Sequence, residues 1–580
     1  MDMVNIKLNG MSLSVPAGST ILEAARYAGI EIPTLCYLKE INEIGACRIC
    51  VVEVKGARTL VAGCVHPVSE GMEVTTNSLK VQNARKLTLE LILSTHDRKC
   101  LSCVRNGNCE LQKLCKEFGV DEEDRFDGFN KQYDFDDTTV HLVRDNNKCI
   151  LCRRCVAACH SQDIGVIGTN DRGFDTHIGC AFEQSLGSVA CVSCGQCIVN
   201  CPTGALTEKD DTEKVWEALN DPNKHVIVGA APSIRVTLGE CFDMEIGTNV
   251  KGKMVAALRR LGFNGVYDVD ATADLTIVEE ATELVGRIKN GGKLPMITSC
   301  SPGWVKYCEH YYPELIPHLS SCKSPQQMFG AISKTWYAKK MNIDPRDIFV
   351  VSIIPCTAKK FEALRADQSA AHDLPDIDVA LTTRELGRMI NRAHINFKSL
   401  PDEDFDNPIG VSTGAGAIFG ATGGVMEAAL RTAADWITGK PGEKLDLLEV
   451  RGTKGIKEAV YKLGDLELKV AVASGLKNAK EIMGKIEAGE ADYQFIEIMC
   501  CPGGCVNGGG QPVQHAVVHN FVNLREERAK ALYEEDRNLE YRKSHESPFI
   551  KAIYDEYLEK PGSHIAHEIL HTSYVKREKY

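Results

Sequence analysis

Residues 149–159 read CILCRRCVAAC and residues 191–202 read CVSCGQCIVNCP, so a run of four cysteines with matching gaps occurs twice. This spacing is typical of paired [4Fe–4S] clusters, in which the fourth cysteine of each run binds the cluster of the other run. Tandem zinc sites are the alternative, but zinc ligand pairs are usually separated by longer arms. The sequence therefore predicts a two-cluster iron–sulfur domain over residues 139–212. The predicted ligand sets are Cys149, Cys152, Cys155 and Cys201 for one cluster, and Cys191, Cys194, Cys197 and Cys159 for the other.

A different pattern opens the chain, over residues 1–78. Residues 4–15 alternate between apolar and polar side chains on either side of Asn9-Gly10, which predicts a β-hairpin. Thr20 and Glu23 have the spacing of a capping box and predict the start of a short helix. A hairpin, a helix and then cysteines is the order of a plant-type ferredoxin, although the first gap here is longer. The longer gap resembles the N-terminal ferredoxin module of complex I large subunits and iron-only hydrogenases. That resemblance implies a β-grasp domain with one [2Fe–2S] cluster, bound by Cys36, Cys47, Cys50 and Cys64.

Residues 79–125 form a third predicted module, with a helix that ends near His96. Three cysteines follow, Cys100, Cys103 and Cys109, whereas a cubane cluster needs four ligands. Spacing alone leaves His96 and Cys115 as alternatives for the fourth ligand. The resemblance to the same complex I and hydrogenase modules favours His96, and Cys115 is then a packed apolar residue.

Composition narrows the class of protein. The chain has 580 residues, 25 cysteines and a formal net charge of −12, which argues against nucleic acid as its main partner. No uncharged apolar stretch is long enough to span a membrane, and the start shows no signal-peptide pattern. Cysteines two residues apart in a long chain favour metal over disulfides. The sequence thus predicts a cytoplasmic, reducing location.

From about residue 222 to 580, short apolar runs alternate with longer helical stretches, which predicts an α/β domain. Several of these runs end in loops that contain proline, glycine or cysteine. In parallel sheets, ligands bind at the carboxyl ends of the strands, so we expect such loops to converge on one buried site. The runs are Val226–Val228 before Pro232 and Ser233, Leu294–Ile297 before Cys300, Phe349–Ile354 before Cys356, and Phe495–Met499 before Cys501 and Cys505.

Three motifs at these loops resemble the signatures of [FeFe]-hydrogenases. Residues 298–304, TSCSPGW, are similar to the first signature, TSCCPxW, and residues 355–362, PCTAKKFE, are similar to the second, PCxxKxxE. Residues 497–510, EIMCCPGGCVNGGG, match the third, ExMxCxGGCxxGG. The motifs occur in order behind cluster-binding modules, and the resemblance covers nearly the whole chain. It implies an H-cluster, in which a [4Fe–4S] cubane is joined by a thiolate to a two-iron unit carrying CO, cyanide and an azadithiolate. With it, the resemblance implies three accessory [4Fe–4S] clusters and one [2Fe–2S] cluster.

The resemblance also assigns roles to residues around the H-cluster. Cys356, Cys501 and Cys505 match cubane ligands, with Cys505 as the bridge to the two-iron unit. Lys359 matches the lysine that holds one cyanide, because a cation against an anionic ligand makes a charge-assisted bond. The further cofactor contacts are Pro232 and Ser233 at the other cyanide, Met499 on the two-iron unit, and Ser301 and Gln326.

The same family has a proton route, which falls here on Cys300, Glu280, Ser320 and Glu283. Cys300 matches the thiol that exchanges protons with the cofactor. Glu280 and Glu283 are three residues apart on a helical stretch and therefore share a face. Without the motifs, two such glutamates would be read as a solvated surface. With the motifs we expect a relay, which needs carriers within hydrogen-bond reach of one another.

Ser301 departs from the family, because most members have cysteine there as the fourth cubane ligand. Either Cys300 carries protons while Ser301 or another group completes the cubane, or the loop shifts and Cys300 itself binds iron. Cys500 is an extra cysteine where a small residue is usual, and it is either a spare ligand or a packed thiol.

Serine at position 301 resembles catalytic subunits of NAD-linked, electron-bifurcating hydrogenases. The implied partners are flavin- and NAD-binding iron–sulfur subunits, ferredoxin, and the maturation proteins that build the two-iron unit. The glycine-rich stretch 413–420 lacks the βαβ context of a dinucleotide loop, so we expect it to serve close packing. A stand-alone ferredoxin-dependent hydrogenase, an H2 sensor or assembly protein, and an electron-transfer subunit are the alternatives.

Overall fold

The computed structural model describes residues 2–120, 125–126, 130–298, 300–371, 373–442, 445–464 and 466–579. The chain forms two compact units. The first consists of Met1–Val189, Cys197–Thr207 and Val513–Val522, and the second of Ala190–Gln196, Glu208–Pro512 and Asn523–Tyr580. Ser299 of the first motif and residues 121–124 of the predicted third module lie outside the described residues.

The first unit begins with the predicted hairpin. Met3–Leu8 pairs antiparallel with Met11–Pro16, and Asn9 and Gly10 both have positive φ, as a tight hairpin turn requires. Thr20 and Glu23 form both hydrogen bonds of the predicted capping box at the start of the helix Ile21–Tyr27. The hairpin belongs to a five-stranded sheet, which confirms the β-grasp prediction. Its strand order is Met11–Pro16, Met3–Leu8, Glu73–Thr75, Val51–Val54 and Val61–Ala62.

The rest of the first unit is mainly short helices and two small strand pairs. It contains a buried ion pair, in which Arg154 donates two hydrogen bonds to Glu110 at 2.8 and 2.9 Å. Its further helices are Leu79–Leu93, Glu110–Glu117, Arg154–Ser161 and Ala516–Phe521. The short helix Gln196–Val199 begins with a residue of the second unit and continues in the first. The strand pairs are Leu142–Arg144 with Leu206–Glu208, and Gly168–Asn170 with His177–Gly179.

Two four-stranded sheets form the framework of the second unit. The parallel sheet has the strand order Gly265–Asp268, His225–Ala230, Ile348–Ile353 and Val379–Leu381. The mixed sheet has the order Met296–Ile297, Phe495–Met499, Leu466–Ser474 and Ile456–Leu463, and only the last strand is antiparallel to its neighbour. The predicted α/β class is confirmed, and the predicted apolar runs overlap these strands, although Leu294, Pro295 and Ile354 lie outside them.

Helices pack around both sheets of the second unit. The longest, Val269–Asn290, begins at the end of a strand of the parallel sheet, where Asp268 caps it, and ends at Gly291. The others are Thr212–Asn220, Lys251–Leu261, Pro302–Tyr311, Pro325–Ile332, Ala338–Met341, Ala358–Glu362, Thr383–Arg392, Gly414–Ala417, Gly424–Thr438, Leu476–Glu487, Leu524–Asn538, Pro548–Ile553 and His564–Leu570. Across the described ranges, none of the helices is both long and apolar enough to cross a membrane.

This partition differs from the predicted boundaries at two segments. Residues 190–196 belong to the second unit, where Gln196 donates to the Asn507 carbonyl at 2.9 Å. Residues 513–522 belong to the first unit, where Asn108 donates to the Val513 carbonyl at 3.1 Å. Contacts between residues this distant in sequence leave no local pattern in the chain.

The glycine-rich stretch 413–420 serves close packing, as predicted. A Cβ atom placed on Gly416 would lie 2.5 Å from the Asp270 carbonyl oxygen, and one on Gly420 would lie 3.3 Å from the Ser233 Cβ atom. A side chain at Gly416 would therefore clash with the backbone at Asp270, and one at Gly420 would crowd Leu532 and Ser233.

Candidate functional site

One cavity in the second unit lies where four strands end. Two of these strands belong to the parallel sheet and two to the mixed sheet, and each continues into a loop that lines the cavity. The arrangement follows from parallel strand direction, which places carboxyl ends on one edge of a sheet. The lining residues from these loops are Pro232 and Ser233, Cys300 and Ser301, Ile354 and Cys356, and Met499, Cys501 and Cys505.

Three of these side chains form a cluster of thiols. Burial, together with the nearby Cys501 side chain, raises the pKa of Cys505 to about 12. Burial likewise raises the pKa of Cys356, again with Cys501 and Cys505 as interacting neighbours. Soft thiolates in a buried site are the ligands of iron–sulfur clusters, and iron binding has to displace the protons that these thiols hold. The three positions therefore fit a cubane cluster.

Glycines of the third motif let its loop approach other backbone segments. Gly504 has φ +95°, a conformation that other residues rarely adopt. A Cβ on Gly508 would lie 2.2 Å from the Pro355 carbonyl oxygen, and one on Gly509 would lie 2.3 Å from the Cys194 carbonyl oxygen. These contacts hold the third motif against the second motif and against residue 194.

Lys359 lines the cavity and is oriented by an acid of its own motif. Its Nζ atom lies 2.8 Å from Glu362, which also accepts hydrogen bonds from Ser324 at 2.8 Å and Gln326 at 3.1 Å. Gln326 in turn accepts from the hydroxyl of Ser352 at 2.8 Å. The lysine is thus a fixed, buried cation beside the thiols, suited to an anionic ligand.

Ser233 is held on the opposite loop by Gln511. The Gln511 amide donates to the Ser233 hydroxyl at 3.3 Å and to the Cys505 carbonyl at 3.0 Å. Thr237 and Thr383 both donate to the Gln511 carbonyl oxygen, at 2.7 and 2.9 Å. The serine and the third-motif cysteine are therefore positioned by the same side chain.

Apolar side chains close the cavity on another side, and a buried glutamate supports them. Met499 and Ile354 both line it and are buried. Glu497 accepts from the backbone amides of Gly423 and Met426, each at 2.7 Å, at the start of the helix Gly424–Thr438. Burial raises the pKa of Glu497, although those amide bonds act in the opposite direction. The glutamate of the third motif thus fixes this helix behind the strand that ends at Met499.

The predicted proton carriers lie along the long helix and the adjacent loop. Burial raises the pKa of Cys300 well above its usual value, and the charge of Glu280 raises it further, so this thiol keeps its proton at neutral pH. The Ser320 hydroxyl donates to Glu283 at 2.9 Å. Glu283 also accepts two hydrogen bonds from Arg287, at 2.6 and 3.1 Å. The hydrogen bond between Ser320 and Glu283 joins the outer half of the predicted relay. At the inner end, Glu280 interacts electrostatically with Cys300.

Ser301 lines the cavity next to Cys500. Its hydroxyl oxygen accepts a hydrogen bond of 3.2 Å from the backbone amide of Cys500. The buried Cys500 side chain lines the same cavity, and its thiol hydrogen-bonds with the thiols of Cys194 and Cys501. The predicted alternatives for the fourth cubane ligand are therefore neighbours in space.

The four cysteines predicted to bind [2Fe–2S] come together in the first unit. The Cys50 and Cys64 sulfur atoms are 3.2 Å apart, and the Cys36 amide donates to the Cys47 sulfur at 3.3 Å. A hydrogen bond with the Cys47 thiol lowers the pKa of Cys36 to about 7. All four thiols are free and suited to one metal cluster.

The two candidates for the fourth ligand of the His-and-cysteine module, His96 and Cys115, have different surroundings. The His96 Nδ1 atom is buried, and among the described residues it has no hydrogen-bond partner. Burial, together with the nearby Cys109 and Cys100 side chains, raises the pKa of Cys115 to about 12. A free, buried imidazole nitrogen fits a metal ligand, and a half-buried thiol packed on Leu114 and Phe118 fits an apolar role.

The two-cluster region brings one predicted ligand set around a single cavity. Cys149, Cys152, Cys155 and Cys201 all line it, so the last cysteine of the second run meets the first three of the first run. Cys159 and Cys197 of the other set share a core cluster in the first unit. Cys191 and Cys194 belong to the second unit.

Sequence reasoning missed the residues that hold the site in place. Glu362 ends the second motif and Glu497 begins the third, but neither position indicates which groups its carboxylate contacts. Gln511 stands directly after the last motif glycine, and that position was its only signal. Each of them also bonds to a residue far away in the chain, namely Glu362 to Ser324, Glu497 to Gly423 and Gln511 to Ser233, which spacing alone does not reveal.

Family comparisons agree with this arrangement. Residues 224–509 match the family described as "Iron only hydrogenase large subunit, C-terminal domain", and residues 522–577 match "Iron hydrogenase small subunit". Residues 1–79 match a "2Fe-2S iron-sulfur cluster binding domain", and residues 85–124 match the "NADH-ubiquinone oxidoreductase-G iron-sulfur binding region".

Two curated proteins are similar over essentially the whole chain, and a solved structure is similar over part of it. The "NADP-reducing hydrogenase subunit HndD" of Solidesulfovibrio fructosivorans is 48% identical, with 100% of both chains covered. "Iron hydrogenase 1" of Clostridium pasteurianum is 45% identical over 99% of this chain and 100% of its own. A solved structure of a variant of [FeFe]-hydrogenase HydA1 from Chlamydomonas reinhardtii is 42% identical, has a TM-score of 0.57, and covers 63% of this chain and 99% of its own.

Proposed function

The chain belongs to the iron-only hydrogenase family, and from that premise we propose that the cavity at the four strand ends makes or splits H2. The reaction is 2 H⁺ + 2 e⁻ ⇌ H2. One observation carries the proposal: Cys356, Cys501, Cys505 and Lys359 meet in a single buried cavity at the ends of strands from two sheets. The donor set fits an H-cluster, since it offers soft thiolates for a cubane and a cation for an anionic iron ligand.

When bound, the H-cluster supplies the iron site at which H2 forms or is consumed. Cys356, Cys501 and Cys505 would hold its cubane, with Cys505 as the thiolate shared with a two-iron unit that carries CO, cyanide and azadithiolate. Lys359 would bind one cyanide, and Pro232 and Ser233 would contact the other. Met499 and Ile354 keep water away, which strengthens every charge interaction inside the cavity.

Protons follow a route along this chain's own side chains. The Cys300 thiol exchanges a proton with the cofactor and passes it to Glu280. Ser320 and Glu283 carry it outward, supported by their 2.9 Å hydrogen bond, and the Arg287 side chain, about 15% exposed, lies at the outer end. The electrostatic interaction between Cys300 and Glu280 supports their placement as neighbours on this route.

Electrons reach the cavity through the accessory clusters. We assign one [2Fe–2S] cluster to Cys36, Cys47, Cys50 and Cys64, and three [4Fe–4S] clusters to the remaining sets. His96 completes the set with Cys100, Cys103 and Cys109, supported by its free, buried Nδ1 atom. A neutral imidazole in place of a thiolate makes that cluster easier to reduce.

The chain acts within a multi-subunit complex in this proposal. The whole-chain similarity to a subunit of an NADP-reducing hydrogenase supports it. Flavin- and NAD-binding iron–sulfur subunits and ferredoxin would then be its electron partners, in an electron-bifurcating reaction. Maturation proteins would supply the two-iron unit, and the many free thiols suit a reducing, cytoplasmic location.

Two measurements test the hydrogenase function. The purified, matured chain should evolve H2 from reduced viologen, and its infrared spectrum should contain bands from iron-bound CO and cyanide. A matured chain with ordinary cubanes but neither bands nor gas would refute the proposal.

A separate experiment tests the complex. Affinity purification of the tagged chain from its own host should recover flavin-containing subunits in fixed stoichiometry. Recovery of a monomer that is fully active with ferredoxin would instead identify a stand-alone enzyme.

A further inference from the structure

The cavity contains one thiol more than the family pattern explains. Beside Cys356, Cys501 and Cys505, the Cys500 side chain is buried and lines the same space. Its thiol contacts that of Cys501, a cubane ligand in the proposed function. Cys500 is therefore placed among metal-binding thiols and away from an ordinary apolar core.

Room for this thiol is made by the first motif. A Cβ atom on Gly303 would lie 2.7 Å from the Cys500 sulfur, so a larger residue there would displace it. The Cys500 amide donates to the Ser301 hydroxyl at 3.2 Å, which occupies that oxygen with a backbone bond. Cys500 and Ser301 thus share one corner of the cavity, and the sulfur is the softer donor of the two.

Ligand chemistry separates these two donors strongly. Iron–sulfur clusters select soft thiolates over hydroxyl oxygen donors. The Ser301 hydroxyl oxygen is, in addition, already used as an acceptor here. A cubane at Cys356, Cys501 and Cys505 still needs a fourth ligand, and in this chain the position where the family has cysteine is Ser301.

We propose that Cys500 is the fourth ligand of the cubane and replaces the thiolate missing at Ser301. On binding, the Cys500 thiol releases its proton to solvent and its sulfur forms a bond to iron, with no change in oxidation state. Cys300 then remains free to carry protons. The assignment rests on the proposed function, because it presupposes a cubane in this cavity.

The experiment moves the thiol between the two positions. The full chain is produced without the proteins that build the two-iron unit, so that only its ordinary clusters assemble, and iron and acid-labile sulfide are counted per chain. Ser301→Ala should keep all the iron. Cys500→Ala should lose four irons, and Cys500→Ala combined with Ser301→Cys should recover them. Unchanged iron in Cys500→Ala, or loss of iron in Ser301→Ala, would overturn the assignment.

A second set of variants identifies which cluster is lost, because Cys500 also contacts Cys194. Cys356→Ala removes the cubane of this cavity, so adding Cys500→Ala should release no further iron. A further loss of four irons would instead place Cys500 on another cluster and refute the proposal. Failure of the hydrogenase function itself has a different signature, namely absence of infrared bands and gas from the matured, unaltered chain.

Discussion

The Ser320 hydroxyl donates a 2.9 Å hydrogen bond to the Glu283 carboxylate, and Glu283 is held on its other side by Arg287. The serine lies in a loop beyond the mixed sheet, whereas the glutamate lies on the helix Val269–Asn290. A proton acceptor is therefore fixed between a buried hydroxyl and a partly exposed guanidinium. This relationship gives the outer half of the proposed proton route a definite geometry.

Glu283→Gln is expected to slow H2 evolution by about 10²-fold or more, since proton transfer by a positioned group contributes about 10²–10⁴-fold. The amide keeps the shape of the side chain but does not accept and release a proton. Rates with reduced viologen measure the effect, and infrared bands of the cofactor should stay unchanged.

Glu279→Gln is the matched control for this variant. Glu279 lies on the same helix and is buried, but it accepts from Tyr554, Gly562 and His571 instead of Ser320. Its rate should stay near that of the unaltered enzyme. Equal losses in both variants would indicate a structural effect and contradict the relay.

Lys359→Met should weaken retention of the two-iron unit, because the cavity then lacks its cation for cyanide. We expect H2 evolution to fall by about 10²-fold or more, the usual effect of losing one preorganised charge or donor. CO and cyanide band intensity per iron is the direct readout. Lys334→Met removes another buried lysine, paired with Asp378 at 2.8 Å away from the cavity, and should keep that ratio. Full band intensity in Lys359→Met would be incompatible with the role.

Cys201→Ser should abolish the same spectroscopic signal as Cys152→Ser, because both residues line one cavity. Cys159→Ser should abolish the signal of the other cluster. Electron paramagnetic resonance of the reduced, anaerobic protein distinguishes the two. If Cys201→Ser and Cys197→Ser instead removed one common signal, the crossed ligand assignment would be wrong.

Asp274 predicts a pH dependence of stability. Burial raises its pKa to about 7, although hydrogen bonds from Thr413 and Ser544 oppose that rise. An unfolded aspartate ionises at about pH 3.9, so between these two pH values the folded chain binds a proton that the unfolded chain does not. The free energy of unfolding should therefore fall as pH rises, by about 2 kcal/mol from pH 5 to pH 7.

Denaturant titrations at pH 5 and pH 7 measure this contribution. Asp274→Asn does not titrate, so its stability should change less between the two values than that of the unaltered chain. Identical pH dependence in both proteins would mean that Asp274 is already ionised in the fold.

Local signals in the sequence were sufficient to predict several helices, strands and turns. The Asn9-Gly10 turn and the Thr20–Glu23 capping box depend on neighbours within a few residues, and both occur as predicted. Phe495–Met499 is a strand over its whole predicted length. Fixed motif spacing then brought Cys356, Cys501 and Cys505 to one cavity.

Pairing between distant segments could not be predicted in the same way. Apolar runs identify strands but do not say which strands are neighbours, so the division of the four strand ends between two sheets was not foreseen. The contact between Ser301 and Cys500 joins residues that are 199 positions apart, and the Glu497 bonds to Gly423 and Met426 have no sequence signature. These contacts depend on the completed fold.

The return of residues 513–522 to the first unit has a consequence for synthesis on the ribosome. Ala516 donates to Glu110 at 3.2 Å, and His515 contacts Asn108, so this late segment covers the early Arg154–Glu110 pair. Domains usually fold in order as they emerge. Here the amino-terminal modules cannot complete this contact, and part of their surface stays exposed to solvent, until nearly nine-tenths of the polypeptide has been translated.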